Sequence, residues 1–141
     1  MSETFIGGFT SGFLARGFLG TRIGYGFYFT SARLFGVDAA TFAGGSLGGA
    51  TAGFIEGQLM PTLNPEQTAT VIAELERAHD LELAREEVKT VALKRPGWLG
   101  LGRMTIHTAG GKAISVTLRN VIAYQRLGQL LYAFGAVPRA T

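Results

Sequence analysis

Arg103-Met104-Thr105-Ile106-His107-Thr108-Ala109-Gly110-Gly111-Lys112-Ala113-Ile114-Ser115-Val116-Thr117-Leu118 reads as two strands around a tight turn. Met104 and Ile106 alternate with Thr105 and His107; Ile114, Val116 and Leu118 alternate with Ser115 and Thr117. A period of two sends one set of side chains to a core and the other to water. Ala109-Gly110-Gly111-Lys112 supplies glycine where a hairpin turn needs positive φ. Upstream, Val88, Val91 and Leu93, with Lys89 and Lys94 between them, suggest a further strand, and Pro96-Gly97 and Gly100 mark a loop. The three strands form a meander. Downstream of Asn120, the residues Val121, Ile122, Tyr124, Leu127, Leu130, Leu131 and Phe134 recur at three and four, which predicts an amphipathic final helix.

The amino-terminal part carries a second hairpin. Ile23, Tyr25, Phe27 and Phe29 alternate with Arg22, Gly24, Gly26 and Tyr28, an aromatic pattern of period two. Thr30-Ser31-Ala32 is a small polar turn, and Arg33-Leu34-Phe35-Gly36-Val37 reads as the return strand. Residues 5–19 fit neither period, so a strand and a packed helix both stay open there. Asn64-Pro65-Glu66-Gln67 starts a helix, with Asn as N-cap and Pro at the first helical position. Val71, Ile72 and Leu75 give it a narrow apolar stripe, so it is a surface helix running to about Ala78. Leu81 and Leu83 begin an extended piece.

Between these parts lies Ala43-Gly44-Gly45-Ser46-Leu47-Gly48-Gly49-Ala50-Thr51-Ala52-Gly53-Phe54-Ile55-Glu56-Gly57-Gln58. Gly45, Gly49, Gly53 and Gly57 recur at every fourth position. Each glycine in a water-exposed helix costs about 1 kcal/mol against Ala. Close approach of a partner helix compensates, because a glycine strip lets backbones meet. The segment therefore reads as a packing helix, in a membrane or an oligomer, against the alternative of a flexible loop. Residues 39–55 are uncharged, about 25 Å of helix, which spans only a thin bilayer.

The 141 residues allow one domain with a modest core and an appended element. There is no Cys, which excludes disulfides and thiolate metal sites, and His79 and His107 are too few for an all-His site. The formal charge of +3 is unevenly spread. No Asp or Glu follows Glu87, while Lys89, Lys94, Arg95, Arg103, Lys112, Arg119, Arg126 and Arg139 do. Glu3 as the first charge, and Arg16 within the apolar run, do not read as a secretory leader. Arg16, Arg22 and Arg33 argue against two membrane crossings before residue 34, since each would cost about 2.5–3.5 kcal/mol at the bilayer centre.

The order of these parts resembles a family. Tyr25-Gly26-Phe27-Tyr28-Phe29-Thr30-Ser31-Ala32-Arg33-Leu34-Phe35-Gly36 resembles the early hairpin of bacterial pleckstrin-homology-like (PH-like) proteins. Glu86–Lys94 and Leu101–Lys112 look like their later strands, and the closing helix is in the corresponding place. The likeness covers about half of the chain. The resemblance implies an α+β fold: an antiparallel PH-like sheet with a closing carboxy-terminal helix. Here a Gly-rich helical segment and a short surface helix interrupt it. The parts are a strand-rich 1–38, a Gly-zipper segment and linker at 39–63, and a helix, meander and final helix at 64–141. PH-like folds are binding platforms, and fold does not fix function.

Lys94-Arg95-Pro96-Gly97-Trp98-Leu99-Gly100-Leu101-Gly102-Arg103 holds the chain's one Trp among three cations. Trp favours the membrane–water interface, and Lys or Arg beside it would contact anionic headgroups. Lys94, Arg95, Trp98, Leu99 and Arg103 are thus the candidate lipid or partner contact. The competing reading is an ordinary loop whose Trp folds back on the core. Glu86-Glu87 and Glu74/Glu76 read as solvated charge rather than a catalytic pair. Ser31, Ser46 and Ser115 lack a nucleophile-elbow context, and no P-loop follows the glycines. His107 reads as a wet strand residue, and His79 as a partner of a helix carboxy end. Tyr28, Tyr124 and Tyr132 could stack bases, but show no interleaving with cations on one face.

The reading is a non-enzymatic module with no metal and no cofactor. It works at a membrane surface, or assembles with itself through the glycine strip. Its expected place is the cytoplasm or the cytoplasmic side of the membrane. The expected partners are a second copy and anionic lipid, and nucleic acid is not expected. The alternative is a soluble structural or oligomeric protein whose Gly-rich segment packs against protein.

Overall fold

The computed structural model describes residues 3–16, 22–38, 59–98, 100–136 and 139–140. Three strands come first: β1 (Phe5–Arg16), β2 (Arg22–Thr30) and β3 (Arg33–Asp38). Helix α1 (Pro65–Ala78), β4 (Leu81–Ala84) and a 3-10 turn (Arg85–Glu87) follow. The meander β5 (Val88–Lys94), β6 (Gly102–Thr108) and β7 (Ala113–Leu118) leads into α2 (Val121–Phe134) and a two-residue β8 (Arg139–Ala140). The fold is α+β. The Gly-rich segment, with Gly45, Gly49, Gly53 and Gly57, lies outside the described residues.

The strands are hydrogen-bonded in the order β4-β3-β2-β1-β7-β6-β5-β8. Two halves of four strands meet along β1 and β7, where Leu14, Ala15 and Arg16 pair with Leu118, Thr117 and Val116. Every ladder is antiparallel except β5 with β8. β1 serves both halves. It pairs with β2 to its end, with a register shift between Ser11 and Ala15, and its last residues, Leu14 to Arg16, also pair with β7. The segment with two open readings is thus a strand. Its period is hidden by the shift and by glycines that admit close neighbours. A Cβ on Gly7 would run into the Leu59 carbonyl oxygen and stand 2.9 Å from both Leu130 Cδ2 and Met60 Cγ. The adjacent Gly8 N–H donates to that carbonyl at 2.9 Å, so the chain re-enters the fold against β1.

The first half-sheet is buried on both faces. Tyr25, Phe27, Phe29 and Leu34 join the main core with Met104, Ile106, Val116, Leu118, Leu127, Leu130 and Phe134. Tyr28, Phe35 and Val37 face the other way and pack with Val71 and Leu75 of α1. Both α1 side chains are fully buried, each contributing about 1.5–3 kcal/mol. Asn64 and Gln67 close a capping box at the helix start. In the β6–β7 turn Gly111 sits at φ +88°, as the hairpin reading requires. β8 was not legible: two residues paired with Ala92 and Leu93 carry no period. No helix among the described residues is long and apolar enough to cross a membrane.

Candidate functional site

The β5–β6 connection is a built tip. Lys94 and Arg103 stand directly opposite each other at the last rung of the ladder. Gly97 and Gly100 then exchange backbone hydrogen bonds, at 3.0 Å and 3.3 Å. That bridge places Trp98 in a tight turn. The base is held by Pro96, whose ring lies where a Cβ on Gly102 would be, 2.7 Å from Cδ and 2.8 Å from Cγ. Only a glycine there lets the ring settle onto the start of β6.

Trp98 does not fold back: it is 93 % exposed. A tight turn closed by the Gly97–Gly100 backbone bonds holds its side chain away from the core. Leu101, 54 % exposed, adds a second apolar side chain at the base. Nothing in the sequence pattern singles it out, because Leu in a Gly-rich loop has no periodic partner. Leu99 lies outside the described residues. Lys94, Arg95 and Arg103 are exposed, and among the described residues they make no ion pair. The tip is therefore an apolar pair ringed by three unneutralised cations.

Of the arginines set in apolar sequence, Arg16 and Arg33 are structural, and the Arg22 side chain lies outside the described residues. Arg16 pairs with Asp80, and Asp80 also accepts from the Tyr25 hydroxyl at 2.8 Å. Burial, then the Asp80 hydrogen bond, pushes the Tyr25 phenol well above its ordinary range. Arg33 pairs with Glu3 at 2.7 Å and Glu76 at 2.9 Å. Glu87 accepts from the Ala84 N–H at 2.9 Å, and Glu74 pairs with Arg77. Neither acidic pair converges on a cleft. His79 Nδ1 lies 3.1 Å from the Leu75 carbonyl, at the end of α1. His107 is exposed. Tyr28 is buried, with its hydroxyl 2.5 Å from Thr10 Oγ1, and offers no stacking surface.

Two hollows flank α2. One, about 830 Å³, is lined by Met60, Leu93, Tyr124, Gly128 and Tyr132. The other, about 260 Å³, is lined by Arg85, Val88, Lys89, Thr90 and Phe134. Neither lining holds a Ser, Cys, His, Asp or Glu. Among the described residues no three His, Asp or Glu side chains gather as a metal site would need. No family model, curated protein or solved structure matches this chain.

Proposed function

We propose that this chain is a non-enzymatic binding module of the PH-like kind that associates with anionic membrane surfaces through the β5–β6 tip. The observation that carries this reading is Trp98, 93 % exposed on a backbone-bridged turn beside Lys94, Arg95 and Arg103. Exposing a Trp to water is costly unless another phase receives it. The interface of a bilayer accepts its ring and hydrogen-bonding edge together. The cations add about 1 kcal/mol each toward an anionic leaflet. A seven-strand antiparallel array followed by a helix supports the PH-like part of the proposal. Self-association belongs to the same proposal and rests on the four-residue glycine recurrence of the sequence.

Trp98 is the only Trp, so its emission reports on the tip alone. Phosphatidylcholine vesicles containing phosphatidylserine should shift that emission to the blue and carry the protein down on sedimentation. Vesicles of phosphatidylcholine alone should do neither at comparable lipid. Trp98→Ala should weaken sedimentation about tenfold, the scale of one lost buried aromatic side chain. An unshifted emission from a protein that sediments as a defined oligomer without lipid would instead select the soluble assembly.

A further inference from the structure

The tip does not stand alone at its end of the sheet. Gly102 pairs with Leu118, and Leu118 pairs with Leu14. One residue further along, the Arg119 N–H donates to the Phe13 carbonyl at 2.8 Å. Continuing the same registers sets Leu101 beside Arg119. Leu101, Arg119 and Phe13 therefore form one transverse row across β6, β7 and β1, about 10 Å wide at the usual strand spacing. The tip bearing Trp98 projects just past that row.

Phe13 is 52 % exposed although it belongs to a strand that is mostly buried. It lies within the register shift between Ser11 and Ala15, and its own N–H donates to Ser11 Oγ at 3.1 Å. A shift of this kind re-aims a side chain out of the sheet's alternation. Arg119 is exposed and, among the described residues, makes no ion pair.

We infer that the membrane contact is a face and not a point: Phe13 and Arg119 form a second anchor beside the Trp98 tip, and the occupant is an anionic bilayer surface. Charge complementarity argues for that occupant, since three apolar side chains sit among four cations in a stretch of fold whose strands β5 to β7 hold no acid. Two anchors on different strands would fix the angle of the sheet to the membrane, which a single point of contact cannot do. The inference rests on the lipid reading proposed above.

The test titrates the full chain with phosphatidylcholine–phosphatidylserine vesicles at low salt. Phe13→Ala should lower the partition coefficient about three- to tenfold, the expectation for half a buried aromatic side chain. Arg119→Gln should lower it about fivefold, as one headgroup contact, and keeps the test readable if Phe13→Ala fails to fold. Lys112→Gln, in the turn about 20 Å along β6, should lower it clearly less than Arg119→Gln does, and Tyr132→Ala, at the far end of α2, should leave it unchanged. If Phe13→Ala and Arg119→Gln bind as the parent does while Trp98 emission still shifts, the tip acts alone and the inference is overturned. Equal loss from Lys112→Gln and Arg119→Gln would also overturn it, because it would mean diffuse attraction. If Trp98 emission in the parent does not shift, the lipid reading itself fails.

Discussion

Arg33 donates from Nε and Nη2 to the two oxygens of Glu3, at 3.0 and 2.7 Å, and from Nη1 to Glu76 at 2.9 Å. Its guanidinium also lies over the Phe35 ring, 4.9 Å from the centroid. One side chain thus ties the amino terminus, β3 and α1 together. The Arg33 contact holds the Glu3 carboxyl below its ordinary 4.5, against a smaller opposing effect of burial. A carboxyl lowered in the folded state stabilises at pH values above its unfolded pKa. That contribution is lost as pH falls through the folded value. Glu3→Gln should therefore cost about 1–2 kcal/mol at pH 7, the range of a half-buried charged hydrogen bond. The gap to the parent should close as pH falls below 4.5. Urea unfolding of both proteins at pH 7 and pH 3 reads this directly, and a gap independent of pH would mean that Glu3 acts only by packing.

Helix α1 shows how much an element owes to its first turn. Asn64 Oδ1 accepts from the Gln67 N–H at 2.8 Å, and Gln67 Oε1 accepts from the Asn64 N–H at 3.0 Å. Only Val71 and Leu75 are buried along its 14 residues, so the cap is a large share of what sets its start. Asn64→Ala should lower unfolding stability by about 1 kcal/mol, measured by urea denaturation, and should leave Trp98 emission unchanged. The cap was legible because all its parts lie within four residues. The same holds for the alternation of β2, β6 and β7 and for the stripe of α2. β1 was not legible, because its exposed Phe13 and its glycines answer to β7, Leu59 and Leu130, all distant in sequence. Nor could the sequence show that Tyr28 and Phe35 are buried by α1 while Phe27 and Phe29 fill the other face. The site followed the same rule. The tip's residues are contiguous and could be named, but their exposure depends on the Gly97–Gly100 bridge, and Phe13 and Arg119 join it only through the strand order.

Across the whole molecule, charge divides as the chain does. Residues 1–87 hold ten Asp and Glu against five Arg, a formal −5; residues 88–141 hold eight Lys and Arg with no acid, a formal +8. Of the described acids, Glu66, Glu74, Glu76, Asp80, Glu82, Glu86 and Glu87 lie on α1, β4 and the connections around them. The eight cations of residues 88–141 lie on the strands β5 to β8, their connections and α2. An anionic surface would therefore attract one half of the sheet and repel the other, turning the Trp98 tip toward the lipid before contact. Such attraction is screened over about 10 Å at 0.1 M salt and about 3 Å at 1 M. Binding to phosphatidylserine vesicles should accordingly fall at least about tenfold from low to high salt, as contacts worth about 1 kcal/mol each are screened. The emission shift of the fraction still bound should persist, because an inserted ring is held by its apolar area and not by charge. Salt-independent sedimentation would remove charge from the mechanism. Salt-sensitive retention on single-stranded nucleic acid, with no vesicle binding at any salt, would assign the same cations to a different polyanion.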